Sequence, residues 1–172
     1  LMPVFNAEKY IAEAILSVLE QSFTDFEFLI VNDGSTDKSS IVISQFTDPR
    51  IRLLELPRTG ISIALNTGLR AAKGSYIARF DADDICLPER LAKQINFLDK
   101  NPDYVLVGSD AEYITEAGEH LFNFQSRAYT HEAILQQLYA GCPFIHSGVM
   151  FRKEPVLQAG GYSSDAHTFE DY

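Results

Sequence analysis

The chain has 172 residues, 46% of them hydrophobic, which suits a single domain with a real core. Its formal net charge of −10 excludes a basic nucleic-acid surface and disfavours a free polyphosphate unless a cation or a local basic group intervenes. No apolar run approaches the length of a membrane span and no signal peptide is visible, while Cys86 and Cys142 are too few for a disulfide framework and read as small buried residues of a reducing compartment or as one bridge.

Leu1 to Phe5 reads as the end of an apolar strand whose beginning is missing, and Asn6 as the N-cap of a helix with the stripe Ile11, Ala14, Ile15, Val18 and Leu19. Phe26 to Val31 is a nearly continuous apolar run, the pattern of a buried parallel strand. It leads into the turn Asn32-Asp33-Gly34-Ser35-Thr36-Asp37, with Gly34 free to take positive φ and Ser35 or Thr36 able to cap. A second helix carries Ile41, Val42, Ile43 and Phe46. Ile51 to Leu56 is a third strand, Pro57-Arg58-Thr59-Gly60 a loop, and Ile61, Ala64, Leu65, Leu69 and Ala72 the stripe of a third helix closed by Lys73-Gly74. Tyr76 to Phe80 is a strand that ends in Asp81-Ala82-Asp83-Asp84. A helix from about Pro88 to Lys100 follows, with Leu91, Ile95 and Leu98 inward. Tyr104–Gly108 is predicted as a strand, Glu112–Thr115 and His120–Phe124 as a hairpin, His131–Tyr139 as a helix and Gly148–Arg152 as a strand. The last residues, Phe169-Glu170-Asp171-Tyr172, stop without a turn or cap, so a chain trimmed at both ends is expected.

Strands alternate with helices through the first hundred residues, which predicts a parallel sheet with crossovers; after that the pattern is irregular and more aromatic. We expect one domain over 1–172, with a nucleotide-binding half at 1–110 and a more variable half at 111–172. In such sheets ligands sit outside the carboxyl ends of the strands. The carboxylates of Asp81 and Asp83 at such an end suit a hard divalent cation that takes the rest of its shell from water and a phosphate. A turn followed by an acidic helix N-terminus fits the same residues, with Asp84 and Glu89 favouring the macrodipole. Asp33 stands at the end of the second strand, as Asp81 does at the fourth. Either it caps a helix or it accepts from a base N–H, for which the uracil imide is suited. Phe5 could stack on that base or, beside Pro3, belong to the core. His146 faces a polar ligand or is a hydrogen-bonded structural residue, and Arg58 and Arg79 are phosphate partners or ordinary surface or core-edge arginines.

No Gly-x-Gly-x-x-Gly or Walker loop occurs, His120, His131, His146 and His167 lack zinc-ligand spacing, and no Gly-x-Ser-x-Gly marks a serine nucleophile. An aspartyl phosphatase would need its nucleophile early in the fold beside a basic partner, an arrangement the sequence does not offer.

Taken together, Pro3-Val4-Phe5-Asn6-Ala7, Gln21-Ser22-Phe23-Thr24-Asp25-Phe26-Glu27, Val31-Asn32-Asp33-Gly34-Ser35-Thr36-Asp37 and Asp81-Ala82-Asp83-Asp84 with Leu87-Pro88-Glu89-Arg90 resemble family 2 glycosyltransferases of the GT-A fold. Asn66 to Gly74, Val149-Met150-Phe151-Arg152, Gly160-Gly161-Tyr162 and Glu170-Asp171-Tyr172 extend the resemblance over nearly the whole chain. It implies a Rossmann-like three-layer α/β sandwich, a mostly parallel central sheet and a mixed C-terminal part. It also implies an inverting transfer of a sugar from a nucleotide-diphosphate donor, commonly a UDP-sugar, to an acceptor hydroxyl, as in polysaccharide biosynthesis. Pro3, Phe5, Asp33 and Asp81 fall to nucleotide binding, with Phe5 and Asp33 at the base and Asp81 near the ribose or the metal. Asp83 falls to a Mn²⁺ or Mg²⁺ ion, Asp171 to the general base, and His146 to an acceptor or phosphate contact. Phe5 stands where many relatives carry Tyr, which keeps stacking and loses a hydroxyl. The implied acceptor is a carbohydrate or lipid-linked molecule and the implied location cytoplasmic, with peripheral attachment to the cytoplasmic membrane face left open. A nucleotidyltransferase and a non-catalytic nucleotide-sugar-binding module are the alternatives. The first should show a Gly-rich, Arg-containing loop where this chain has Asn6-Ala7-Glu8.

Overall fold

The computed structural model describes residues 1–126, 128–139 and 141–163. Three parallel strands, β1 (Met2–Val4), β2 (Phe28–Asp33) and β3 (Ile51–Leu56), form one sheet in the order β1-β2-β3. All six positions of β2 are buried, the state its apolar run predicts for a central parallel strand. Successive side chains leave a strand on opposite faces, and here each face meets its own core. Phe28 and Ile30 pack with Met2, Val4, Ile11 and Ile15, under α1 (Ile11–Leu19) and α2 (Ser39–Ser44). Leu29 and Val31 pack with Leu1, Leu65 and Leu69, under α3 (Ile61–Ala71). Helices on both faces of the sheet make the three layers.

Four short strands follow: β4 (Tyr76–Ala78), β5 (Leu106–Val107), and the hairpin of β6 (Ala111–Ile114) and β7 (His120–Phe124). With β8 (Met150–Arg152), β4 and β5 form a second sheet in the order β4-β8-β5, β8 antiparallel to both neighbours. Leu1 joins the two sheets. Its N–H donates to Ala78 O at 2.8 Å and its carbonyl accepts from Phe80 N at 3.0 Å, the pattern of a parallel bridge. β4 therefore runs beside β1, and the carboxyl ends of β3, β2, β1 and β4 open on one edge. This is the α/β architecture the sequence predicts, with the mixed part late in the chain.

The helix α4 (Arg90–Lys100) anchors the acidic segment before it. Buried Gln21, at the end of α1, donates to the carbonyls of Cys86 and Leu87 and accepts from Leu91 N. Ser17 Oγ accepts from Cys86 N at 3.0 Å, and Arg90 donates to the carbonyls of Arg79 and Val149. The chain is thus held just before and just after Asp81–Asp84. Beyond it lie α5 (His131–Leu138), none of whose residues is buried, and α6 (Lys153–Gln158) against α3 and β8.

Several local expectations are corrected. Asn6 is not a helix cap: it takes φ 52, its Oδ1 accepts from Thr36 N, and α1 starts five residues on, at Ile11, with Tyr10 N and Ile11 N both donating to Ala7 O. An asparagine tolerates that left-handed conformation better than most residues. Asp37, rather than Ser35 or Thr36, accepts from Ser39 N at the start of α2, and Ser35 Oγ accepts from Asn6 N instead. The third helix ends at Ala72 in an extended conformation, without a left-handed glycine at Gly74. The six residues of α6 escape the sequence because they are shorter than two turns and include Pro155, which is tolerated in a first turn.

Gly34 does take the positive φ its turn requires, at 69°, and a Cβ there would meet Arg58 N at 2.6 Å. Gly34→Ala should lower stability by about 1–3 kcal/mol through left-handed strain and this backbone collision. The denaturation midpoint in urea checks it: a fall with unchanged slope is expected, and an unchanged midpoint contradicts the close approach.

Candidate functional site

A cleft of about 340 Å³ lies across the strand ends just described, large enough for a small ligand's base or sugar. Pro3 and Phe5 line it from the end of β1, Asp33 from β2, Arg58 and Ile61 from the loop after β3 and the start of α3, and Asp81 and Asp83 from the segment after β4. Five of the seven site residues named from sequence therefore come together, although 80 positions separate the first from the last. His146 does not line the cleft, and Asp171 lies outside the described residues.

Asp33 is the most enclosed of these groups, its side chain only 2% exposed. Its Oδ1 accepts from Thr59 N at 2.7 Å and Thr59 Oγ1 at 2.6 Å. Its Oδ2 accepts from Gly60 N at 2.9 Å and from Arg58 Nη1. Burial pushes its pKa up, but the Thr59 hydroxyl and N–H, the Gly60 N–H and Arg58 outweigh burial and leave it below the ordinary carboxylate range. It therefore neither caps the helix after it nor sits free: it holds the loop that follows β3. The Arg58 guanidinium also lies over the Phe5 ring, 3.6 Å from the centroid. Phe5 is 42% exposed, so its ring belongs to the cleft and not to the core.

On the other wall Asp81 faces Arg79, a guanidinium only 2% exposed whose Nη1 makes ionic contact with Asp81 Oδ2. Nη1 is outside hydrogen-bond geometry there, and neither it nor Nε has a hydrogen-bond partner among the described residues. Burial raises the Asp81 pKa; attraction to Arg79 opposes this, and Asp84 and Asp83 add to the rise. Asp83 is exposed at the cleft. Among the described residues no group of three or more His, Cys, Asp or Glu could hold a metal by itself. Two neighbouring carboxylates, one exposed, nonetheless fit a hard cation that draws most of its shell from water and a ligand's phosphates.

His146 opens a single 3₁₀ turn before β8, its Nε2 3.3 Å from the Tyr162 hydroxyl. Burial pulls its pKa down to about 3, with the nearby Arg79 charge acting the same way. Arg58, Thr59 and Gly60 are the site residues that sequence reasoning underrated. The signal available was a four-residue loop at a strand's carboxyl end containing a cation, a hydroxyl and a glycine of positive φ, here 96°. Tyr10, which also lines the cleft, was missed altogether.

Comparison with known proteins places this geometry. The O-antigen biosynthesis glycosyltransferase WbnJ of Escherichia coli is 34% identical over the full chain, which spans 67% of WbnJ; four such curated relatives are spanned over 42 to 67% of their length. The S. aureus TarS fragment 1–349 in complex with UDP superposes with a TM-score of 0.77 at 21% identity, covering 99% of this chain and 51% of that one. The mannosyltransferase PcManGT of Pyrobaculum calidifontis, in complex with GDP-Man and Mn²⁺, gives 0.73 at 21% identity over 99% and 48%. These neighbours share the α/β fold. The family model described as glycosyl transferase family 2 matches residues 1–159, and with the fold in agreement the chain belongs to that family.

Proposed function

We propose that the chain is the catalytic domain, with donor-binding and acceptor-side halves, of an inverting glycosyltransferase that moves a sugar from a nucleotide-diphosphate donor, a UDP-sugar, to an acceptor hydroxyl. One observation carries the reading. The aromatic ring of Phe5, the buried carboxylate of Asp33 and the carboxylates of Asp81 and Asp83, all named from sequence, line one cleft from three different strand ends. Phe5 offers its face to the base. Asp33 accepts the imide N–H, which uracil presents and cytosine lacks. Asp81 lies toward the ribose and Asp83 toward the diphosphate. Mn²⁺ or Mg²⁺ held by Asp83 and Asp81 would supply charge neutralisation for the departing diphosphate, which fits the Mn²⁺ in the PcManGT complex.

In the transfer itself, the acceptor oxygen attacks the anomeric carbon from the face opposite the diphosphate, the bond to the phosphate oxygen breaks, and configuration inverts. The acceptor proton goes to a carboxylate, and we assign it to Asp171. A base of this kind typically contributes on the order of a hundredfold to ten-thousandfold. His146 is a second titratable residue named from sequence, but a ring whose pKa is about 3 is a poor base at neutral pH. We place it near the acceptor or a phosphate, through the Tyr162 it touches. The acceptor side is assigned to 111–172. The β6–β7 hairpin supports this, because its tip residue Glu116 meets Lys9 Nζ at 2.6 Å and the hydroxyl of cleft-lining Tyr10 at 2.9 Å. A growing polysaccharide is the acceptor class suggested by the name of WbnJ. Among the described residues no helix is long and apolar enough to cross a membrane. Family membership favours this reading over a nucleotidyltransferase.

Calorimetry with UDP is the test. Binding should strengthen at least tenfold with Mn²⁺, and Asp83→Asn should abolish that increment while leaving the metal-free affinity within about twofold, since the base contacts stay. An unchanged Mn²⁺ increment in the variant removes the metal assignment.

The His146 environment makes a second, independent expectation. Because its folded pKa lies far below the unfolded value of about 6.5, the unfolded chain takes up a proton that the fold refuses. Its contribution to stability is complete above about pH 6.5 and is lost as pH falls toward 3. The ring's NMR signals should stay flat from pH 8 to 5, and His146→Gln should flatten part of the acid limb of the stability profile. A titration near pH 6.5 would show the ring to be solvated.

A further inference from the structure

We propose that Arg58 is a built-in occupant of the nucleobase subsite, which the donor must displace before its base can bind. The inference rests on the donor reading above and concerns what fills that subsite first. A base held by Phe5 and Asp33 needs two things, a planar group on the ring and an N–H donor to the carboxylate. The Arg58 guanidinium supplies both: it lies 3.6 Å from the Phe5 ring centroid, the spacing of a stacked planar group, and its Nη1 donates to Asp33 Oδ2.

The remaining acceptor directions of Asp33 are already taken. Thr59 N and Oγ1 fill Oδ1, and Gly60 N takes one direction on Oδ2. Only the direction that Arg58 uses can pass to an incoming N–H. The two exchanges are therefore coupled, because the same side chain vacates the ring face and the carboxylate in one movement. Arg58 is suited to leave. Its side chain is 51% exposed against 2% for Asp33, and it makes no other hydrogen bond or ion pair among the described residues. Its long side chain can turn out to solvent without disturbing the backbone of Thr59 and Gly60, which keeps Asp33 satisfied. A base with an imide N–H restores what is lost. A base that presents a lone pair at that position leaves Asp33 facing an acceptor.

The displacement lowers the affinity of every ligand that stacks on Phe5, so it sets the threshold for entry, while Asp33 sets the choice of base. Titration of uridine, which carries no phosphate to be attracted by the arginine, isolates the effect. Arg58→Ala should bind uridine about three- to tenfold more tightly than the unaltered chain, the factor carried by an exposed cation–π contact and a half-exposed ion pair together. Arg58→Gln, which keeps a donor for Asp33 without a charge on the ring, should fall between them and guards against loss of the loop. Adding Phe5→Ala should remove the gain. Uridine binding that is unchanged or weaker in Arg58→Ala and Arg58→Gln overturns the inference, making the arginine a bystander or a contact to the base. If the unaltered chain still binds UDP with Mn²⁺ in that case, only the inference fails. If neither chain binds uridine or UDP with Mn²⁺, the donor reading fails with it.

Discussion

An ionised carboxylate shielded from water persists only where donors are brought to it, and this chain brings four to Asp33. All four come from residues 58–60, so the carboxylate fixes the loop after β3 against the end of β2. The rest of the cleft follows from that contact. Gly34 must lack a side chain because Arg58 N passes where its Cβ would be, and Arg58, once there, covers Phe5 at the end of β1. A stacking surface, an acceptor and a cation thus come to three adjacent strand ends, a consequence of parallel pairing in the order β1-β2-β3.

The neighbouring loops are fixed by reciprocal bonds of the same kind. Asn6 N donates to Ser35 Oγ while Asn6 Oδ1 accepts from Thr36 N; Glu8 N donates to Asp37 Oδ2 while a Glu8 oxygen accepts from Lys38 N. Each loop satisfies the other's backbone, so neither depends on solvent to keep its shape. Such loops can present side chains at defined positions although they lie outside regular structure, which is how loops on a rigid sheet come to carry function. The left-handed Asn6 is part of the arrangement, since its turn directs both its N–H and its side chain toward the second loop.

Long periodic elements were legible in the sequence because burial dictates their pattern. The run through β2, the stripe Ile11, Ala14, Ile15 and Val18, and the boundaries of β3 all read directly. Asp33, Asp81 and Asp83 could be named because a carboxylate ending an apolar run is conspicuous, and the family resemblance decided between base and core for Phe5 and added Pro3. What did not read was pairing between loops. Nothing in Asn6-Ala7-Glu8 announces that its partners stand thirty residues away, so local rules made Asn6 a cap. Arg58 looked like any surface arginine because its two partners, Phe5 and Asp33, are distant in sequence and adjacent only across the sheet. The short helix α6 carries too few residues to show a period.

The acidic side of the cleft gives the donor reading its charge logic. Three carboxylates within four positions repel one another, and against Asp81 stands the buried Arg79, whose Nε and Nη1 have no hydrogen bond among the described residues. Arg79 beside Asp81 and Arg90 near Asp84 leave an excess of negative charge, and a diphosphate entering alone would meet net repulsion. A divalent ion entering alone would find two carboxylates and few further ligands. Each becomes favourable in the presence of the other, since the ion offsets the carboxylates and the phosphate oxygens complete its shell. By linkage, the factor by which metal raises nucleotide-diphosphate affinity must equal the factor by which the nucleotide raises metal affinity. On the proposed reading, a chain of net charge −10 would discriminate a metal-bound donor from free polyphosphate without any basic patch, because the selectivity would lie in the pair of charges that arrive together.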